Sequence, residues 1–84
     1  MEELVVVVAE GCPHCKELID RLEKSNVRFR VVDATKDVNA LKVMRDLGVY
    51  KVPLLLAVRK VQDGVEACLL DENGKAKCVR EDQL

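Results

Sequence analysis

Residues 4–9, LVVVVA, form a continuous run of branched and small apolar side chains with no polar alternation. The run is too short for a helix, and strands buried on both faces read this way, as at the centre of an α/β sheet. Gly11 ends it. From Pro13 the period changes. Cys15, Leu18, Ile19 and Leu22 recur at helical spacing, and charged residues fill the other positions. Pro13 suits a first helical position, and Ser25-Asn26 closes the segment. In residues 27–34, VRFRVVDA, Val27, Phe29 and Val31 alternate with Arg28 and Arg30, which predicts a second strand. Asp37 then caps a second predicted helix whose apolar stripe is Val38, Leu41, Met44 and Leu47, with Gly48 as its stop. Strand, helix, strand, helix in this order predicts a βαβ unit with parallel strands and a right-handed crossover.

Beyond Gly48, residues 54–58 form another apolar strand with Pro53 at its head, where a missing N–H is tolerated. Gly64 marks a turn. VEACLL (65–70) and KAKCV (75–79) flank DENG, a hairpin signal. No third helical stripe follows. REDQL at 80–84 reads as a frayed tail, and Arg28 and Arg30 read as a solvated strand face. Tyr50 and Lys51 read as an ordinary amphipathic rim ahead of the proline.

The chain has 84 residues, enough for one domain spanning 1–84. Domains of this size bury only about 60% of the surface that the unfolded chain exposes, so a covalent staple would help. One Phe, one Tyr and no Trp leave the core to aliphatic side chains. A net charge of −1 excludes a general attraction to nucleic acid or to anionic membranes. No apolar run approaches the roughly 18 residues of a membrane span. Met1-Glu2-Glu3 is acidic where a secretory leader is basic, so a cytoplasmic location is expected. Four cysteines in a reducing compartment point to catalysis or metal rather than to a passive disulfide framework.

Cys12-Pro13-His14-Cys15 falls where the first strand meets the first helix. A helix start has unpaired N–H groups and a partial positive charge, which stabilise a thiolate. Cys12 is placed at the exposed cap. Cys15, one turn on, is placed on the apolar side. That asymmetry suits an attacking and a resolving thiol. Protonated His14 would favour the thiolate further and make the disulfide more oxidising; the alternative is a solvated residue without a tuning role. A zinc site would need two more ligands with similar local spacing, and there is one C-x-x-C. A purely structural bridge over so short a loop would constrain the unfolded chain little. The residues favour the redox pair, with metal and structural roles as alternatives.

The strand leading into C-P-H-C, the βαβ unit, and Val52-Pro53 opening a strand 38 residues after Cys15 together resemble the thioredoxin fold, and within it the small glutaredoxin-like proteins. The resemblance covers residues 1 to about 60. It implies an α/β fold with a central mixed sheet, a βαβ unit and a C-terminal hairpin, the family's final helix being missing here. It implies that Pro53 is a cis-proline against the active-site disulfide and that the Val52 backbone pairs with an extended substrate. The implied activity is thiol–disulfide exchange with protein disulfides, Cys12 attacking and Cys15 resolving. No cofactor is expected beyond the cysteines, and a monomer working with an upstream reductase is expected. Residues 59–84 lack the Gly-Gly and Asp that hold glutathione in glutaredoxins, so direct glutathione use is not expected. The competing expectation is a non-catalytic module of the same fold, holding a metal through Cys12, His14 and Cys15.

Cys68 and Cys78 flank the hairpin turn. A three-residue loop, Glu72-Asn73-Gly74, would set Asp71 against Lys75 and Cys68 against Cys78, in a non-hydrogen-bonded pair with Cα atoms about 4.5 Å apart. A cross-strand bridge is then feasible. A loop one residue shorter or longer would defeat it. Two free thiols on an apolar sheet face, and a second redox pair exchanging with the first, are the alternatives.

Overall fold

The computed structural model describes residues 2–84. Five strands and two helices follow in the order β1 (Glu2–Val8), α1 (Pro13–Lys24), β2 (Phe29–Asp33), α2 (Val38–Leu47), β3 (Leu54–Val61), β4 (Gly64–Asp71) and β5 (Gly74–Glu81). They build one mixed sheet in the order β2-β1-β3-β4-β5. β1 and β2 are parallel across α1, and every other pairing is antiparallel. The fold is α/β, as the periodicities require.

β1 is central, and Val5, Val6 and Val7 are fully buried. Because side chains alternate along a strand, Val5 and Val7 face one side of the sheet and Val6 the other. The first side joins Val32, Leu54, Leu56, Val58, Val65 and Ala67 to Ala40, Val43, Met44 and Leu47 of α2 in the main core. Val6, Ala57 and Cys68 point to the opposite face, and Cys15 of α1 is buried outside the main core as they are. α1 is amphipathic but lightly covered. Cys15 is its one buried residue, and Leu18, Ile19 and Leu22 stay half-exposed. No third helix lies on that face among the described residues.

Five sequence expectations need correction. In β2 the buried valine is Val32, while Val31 is exposed. Only one face of this edge strand meets α2, so its polar alternation does not mark the core side. In α2 the buried stripe is Ala40, Val43, Met44 and Leu47; Val38 and Leu41 are exposed. The small Ala40 and branched Val43 fit closest to the sheet, which turns the larger pair outward. The tail does not fray: Leu84 packs against the core, and its carbonyl accepts a hydrogen bond from Arg30 at 2.9 Å. Arg30 is thus no idle solvated residue. It also binds Glu3 at 2.8 Å, and this guanidinium holds the Glu3 carboxyl below its ordinary pKa.

The last correction concerns the hairpin. Its turn is one residue tighter than a three-residue loop, with Asp71 opposite Gly74 and Leu70 opposite Lys75. Asp71 accepts from the Asn73 N–H at 2.8 Å, and Gly74 takes a φ of 103° that a side chain would resist. The tighter turn alone would shift Cys68 off Cys78. A register shift between Leu69 and Leu70 absorbs Ala76, so Leu69 faces Lys77 and Cys68 faces Cys78. The bulge restores the pairing that the turn would have lost.

Candidate redox site

Cys12 is the N-cap of α1. Its backbone is extended (φ −102°, ψ 100°), and its sulfur accepts the Cys15 N–H at 3.2 Å. Gly11, at φ +74°, makes the turn from β1 into this cap, a conformation that favours glycine. Pro13 opens the helix at a position whose N–H would be unpaired in any case. The sequence thus folds locally to aim free helix-start N–H groups at the Cys12 sulfur. The first turn carries no acidic residue to oppose the dipole.

Cys12 and Cys15 form a disulfide, with Cα atoms 5.4 Å apart. The two differ in burial. Cys15 is 4% exposed, whereas Cys12 is only half-buried. The Cys12 sulfur is the more accessible of the two. His14 points outward, with Nδ1 3.6 Å from the Glu17 carboxylate and both side chains well exposed.

The Val52–Pro53 bond is cis. Leu54 at the start of β3 pairs with Val7 near the end of β1. Both Val52-Pro53 and Gly11-Cys12 therefore emerge at the same end of the sheet. The Val52 side chain packs against the main core. Tyr50, two residues earlier, is exposed and shares a shallow cleft with Val38, Leu41, Lys42 and Arg45. Sequence reading missed that cleft because it assigned Val38 and Leu41 to the core. Two other clefts lie at the far end of the sheet, around Glu2 and Glu3. Cys12 and Cys15 line none of these three.

The second pair, Cys68 and Cys78, is also bonded, with Cα atoms 4.0 Å apart. The Glu66 carboxylate lies within 4.8 Å of both sulfurs. These three residues have the character of metal ligands. The sulfurs are joined, so neither is a thiolate, and Glu66 Oε1 is bound to Arg59 at 2.8 Å.

The glutaredoxin family model matches residues 4–60. A solved structure of thioredoxin-like protein BC3987 matches with a TM-score of 0.60 and 25% identity, over 71% of this chain and 89% of that one. A single-site mutant of the same protein matches equally well, over 88% of its length. No curated protein matches the chain.

Proposed function

The chain belongs to the glutaredoxin family, and from that premise we propose that it is a protein-disulfide oxidoreductase working through Cys12 and Cys15. The observation that carries this reading is the bonded pair at the start of α1, with the more exposed sulfur capping the helix. The Cys12 thiolate attacks a substrate disulfide and forms a mixed disulfide. The Cys15 thiolate then attacks Cys12, releases the reduced substrate and leaves Cys12–Cys15 oxidised. The helix-start N–H groups that stabilise the Cys12 thiolate also make it the better leaving group, so the same cap serves both half-reactions.

The substrate proposed is an extended protein segment. What supports that class is that Val52-Pro53 and Gly11-Cys12 emerge at the same end of the sheet, where a segment could align. Glutathione has no Gly-Gly-Asp to hold it. Pro13 sets the helix start, and His14 lends positive charge when protonated. An upstream dithiol reductase returns the pair to the reduced state, in a cytoplasmic setting.

The test is reduction of a protein disulfide such as insulin, with a dithiol as terminal donor. Cys12→Ser lowers turnover to the uncatalysed background. Cys15→Ser accumulates a mixed disulfide at Cys12 that mass spectrometry detects. Unchanged turnover in Cys12→Ser, together with stoichiometric zinc on the wild-type protein, overturns the reading in favour of a metal-holding module.

A further inference from the structure

The Cys68–Cys78 bridge has features that a passive staple does not need. It spans β4 and β5, and β5 is an edge strand with no partner on its outer side among the described residues. The two sulfurs differ in access: Cys68 is 2% exposed, whereas Cys78 is exposed. Since Cys68 lies inward on β4, the S–S axis continued beyond Cys78 leads past the sheet edge. An attacking thiolate must approach along that axis, so the open side is the side that exchange uses.

Basic side chains share the sheet face that carries the bridge. Arg59 and Arg80 stand on the same sheet face as Cys68 and Cys78, by register and alternation. Lys75 reaches across that face to Glu2. Arg59 is paired with Glu66 at 2.8 Å and Lys75 with Glu2, so Arg80 is the cation on this face without a salt-bridge partner among the described residues. Cations beside a sulfur lower the cost of its thiolate, whether attacking or leaving.

The bridge is also remote from the first pair. Cys68 is level with Ala57, and Ala57 with Leu4, four residues before the end of β1. At about 3.3 Å per residue, at least about 13 Å of strand lies between that level and the turn into Cys12. The two bridges cannot exchange directly in this fold.

We propose that Cys68–Cys78 is a second redox couple, independent of Cys12–Cys15, whose electron donor is a small thiol or dithiol that attacks Cys78. The donor thiolate bonds to the Cys78 sulfur as the Cys68–Cys78 bond breaks. The electron pair leaves on the Cys68 sulfur, which takes a proton from water. A second thiolate, from another donor molecule or the donor's own second sulfur, attacks the donor sulfur of the mixed disulfide. Cys78 leaves as a thiolate and is protonated, and the donor departs as a disulfide. Two electrons have entered the protein. The ladder on both sides of the pair keeps the thiols facing one another, so an oxidised donor closes the bridge by the reverse steps.

The experiment uses full-length protein carrying Cys12→Ser and Cys15→Ser, which isolates the second pair from the proposed oxidoreductase chemistry. The protein is equilibrated with graded mixtures of glutathione and its disulfide, quenched with acid, alkylated and mapped by mass, while circular dichroism follows the sheet. The expected result is a reversible loss and return of Cys68–Cys78 with the sheet intact, and a glutathione adduct on Cys78 rather than Cys68 when thiol is limiting. A bridge that survives excess dithiothreitol until the sheet unfolds overturns the proposal, and so does an adduct on Cys68. If the double variant does not fold, the same mapping on the wild-type protein follows each pair separately, because Cys15 and Cys78 lie in different tryptic peptides.

Discussion

The two cysteine pairs share a chain and a sheet face, yet they are made by different means. Cys12–Cys15 is local. Two residues separate the cysteines, and a helix start supplies the N–H groups, the orientation and the difference in burial. Cys68–Cys78 is set by register. Nine residues separate the cysteines, and their meeting depends on the length of a turn and on a bulge. The helix site carries its electrostatics in the backbone, whereas the hairpin site draws on the side chains of Arg59, Arg80 and Lys75. A site of the first kind tolerates surface substitution; one of the second kind is adjustable by it.

Both sites rest on one core, and that is the first thing to break. Leu56 is fully buried at the centre of β3, between the strands that carry the two pairs. Leu56→Ala should cost about 2–5 kcal/mol, from lost transfer energy and a residual cavity. Urea unfolding should show one transition at lower denaturant, and both disulfides should become reducible together across it. Separate transitions for the two would mean that the hairpin is an independent unit.

The second break removes one pair. Replacing Cys68 and Cys78 by Ala takes away a loop of about 11 residues, worth up to about 3 kcal/mol in the chain-entropy account. The midpoint of Cys12–Cys15 against a dithiol should stay unchanged. A shifted midpoint would show that the hairpin bridge acts on the helix site through the sheet.

The same contrast explains what the sequence revealed. The helix site was legible because every determinant lies within residues 9 to 18: a strand end, a glycine, a cap and a proline. Pairing of Cys68 with Cys78 was also reached, but through the wrong turn. A three-residue loop and a tighter turn followed by a bulge give the same opposition, and only the backbone distinguishes them. Met44 and Leu47 of the α2 stripe are buried as expected, but Val38 and Leu41 were misassigned, because they fit the helical period as well as Ala40 and Val43 do. What selects between those faces is how closely α2 lies on the sheet, a property of packing rather than of period. Contacts between residues far apart in sequence, such as Arg30 with Leu84, left no local signal.

A smaller effect is expected at His14. Its side chain is 78% exposed and already faces Glu17. A surface charge contact is worth up to about 1 kcal/mol, and about 1.4 kcal/mol corresponds to 30 mV for a two-electron couple. His14→Ala should therefore lower the Cys12–Cys15 potential by no more than about 20 mV. A much larger drop would show that the imidazole, rather than the helix start, stabilises the thiolate.

The smallest effect sharpens the contrast most. The Arg59 guanidinium holds the Glu66 carboxyl below its ordinary pKa, chiefly through their hydrogen bond. A carboxylate with a depressed folded-state pKa contributes stability above its ordinary pKa, and that contribution is lost as pH falls through the folded value. Glu66→Gln should therefore be slightly less stable than wild type at pH 7 and indistinguishable from it in acid, as urea midpoints across pH would show. The substitution also removes a negative charge within 4.8 Å of both hairpin sulfurs. Attack by glutathione on Cys78 at pH 7 should then quicken, because Arg59, freed of its carboxylate partner, acts on an anionic nucleophile. The rate at Cys12–Cys15 should not change, since its charges belong to the backbone of α1 and lie beyond a screening length of about 8 Å at physiological salt. Equal acceleration at both pairs would mean that one shared field governs them, and the division into a backbone-tuned and a side-chain-tuned site would fail.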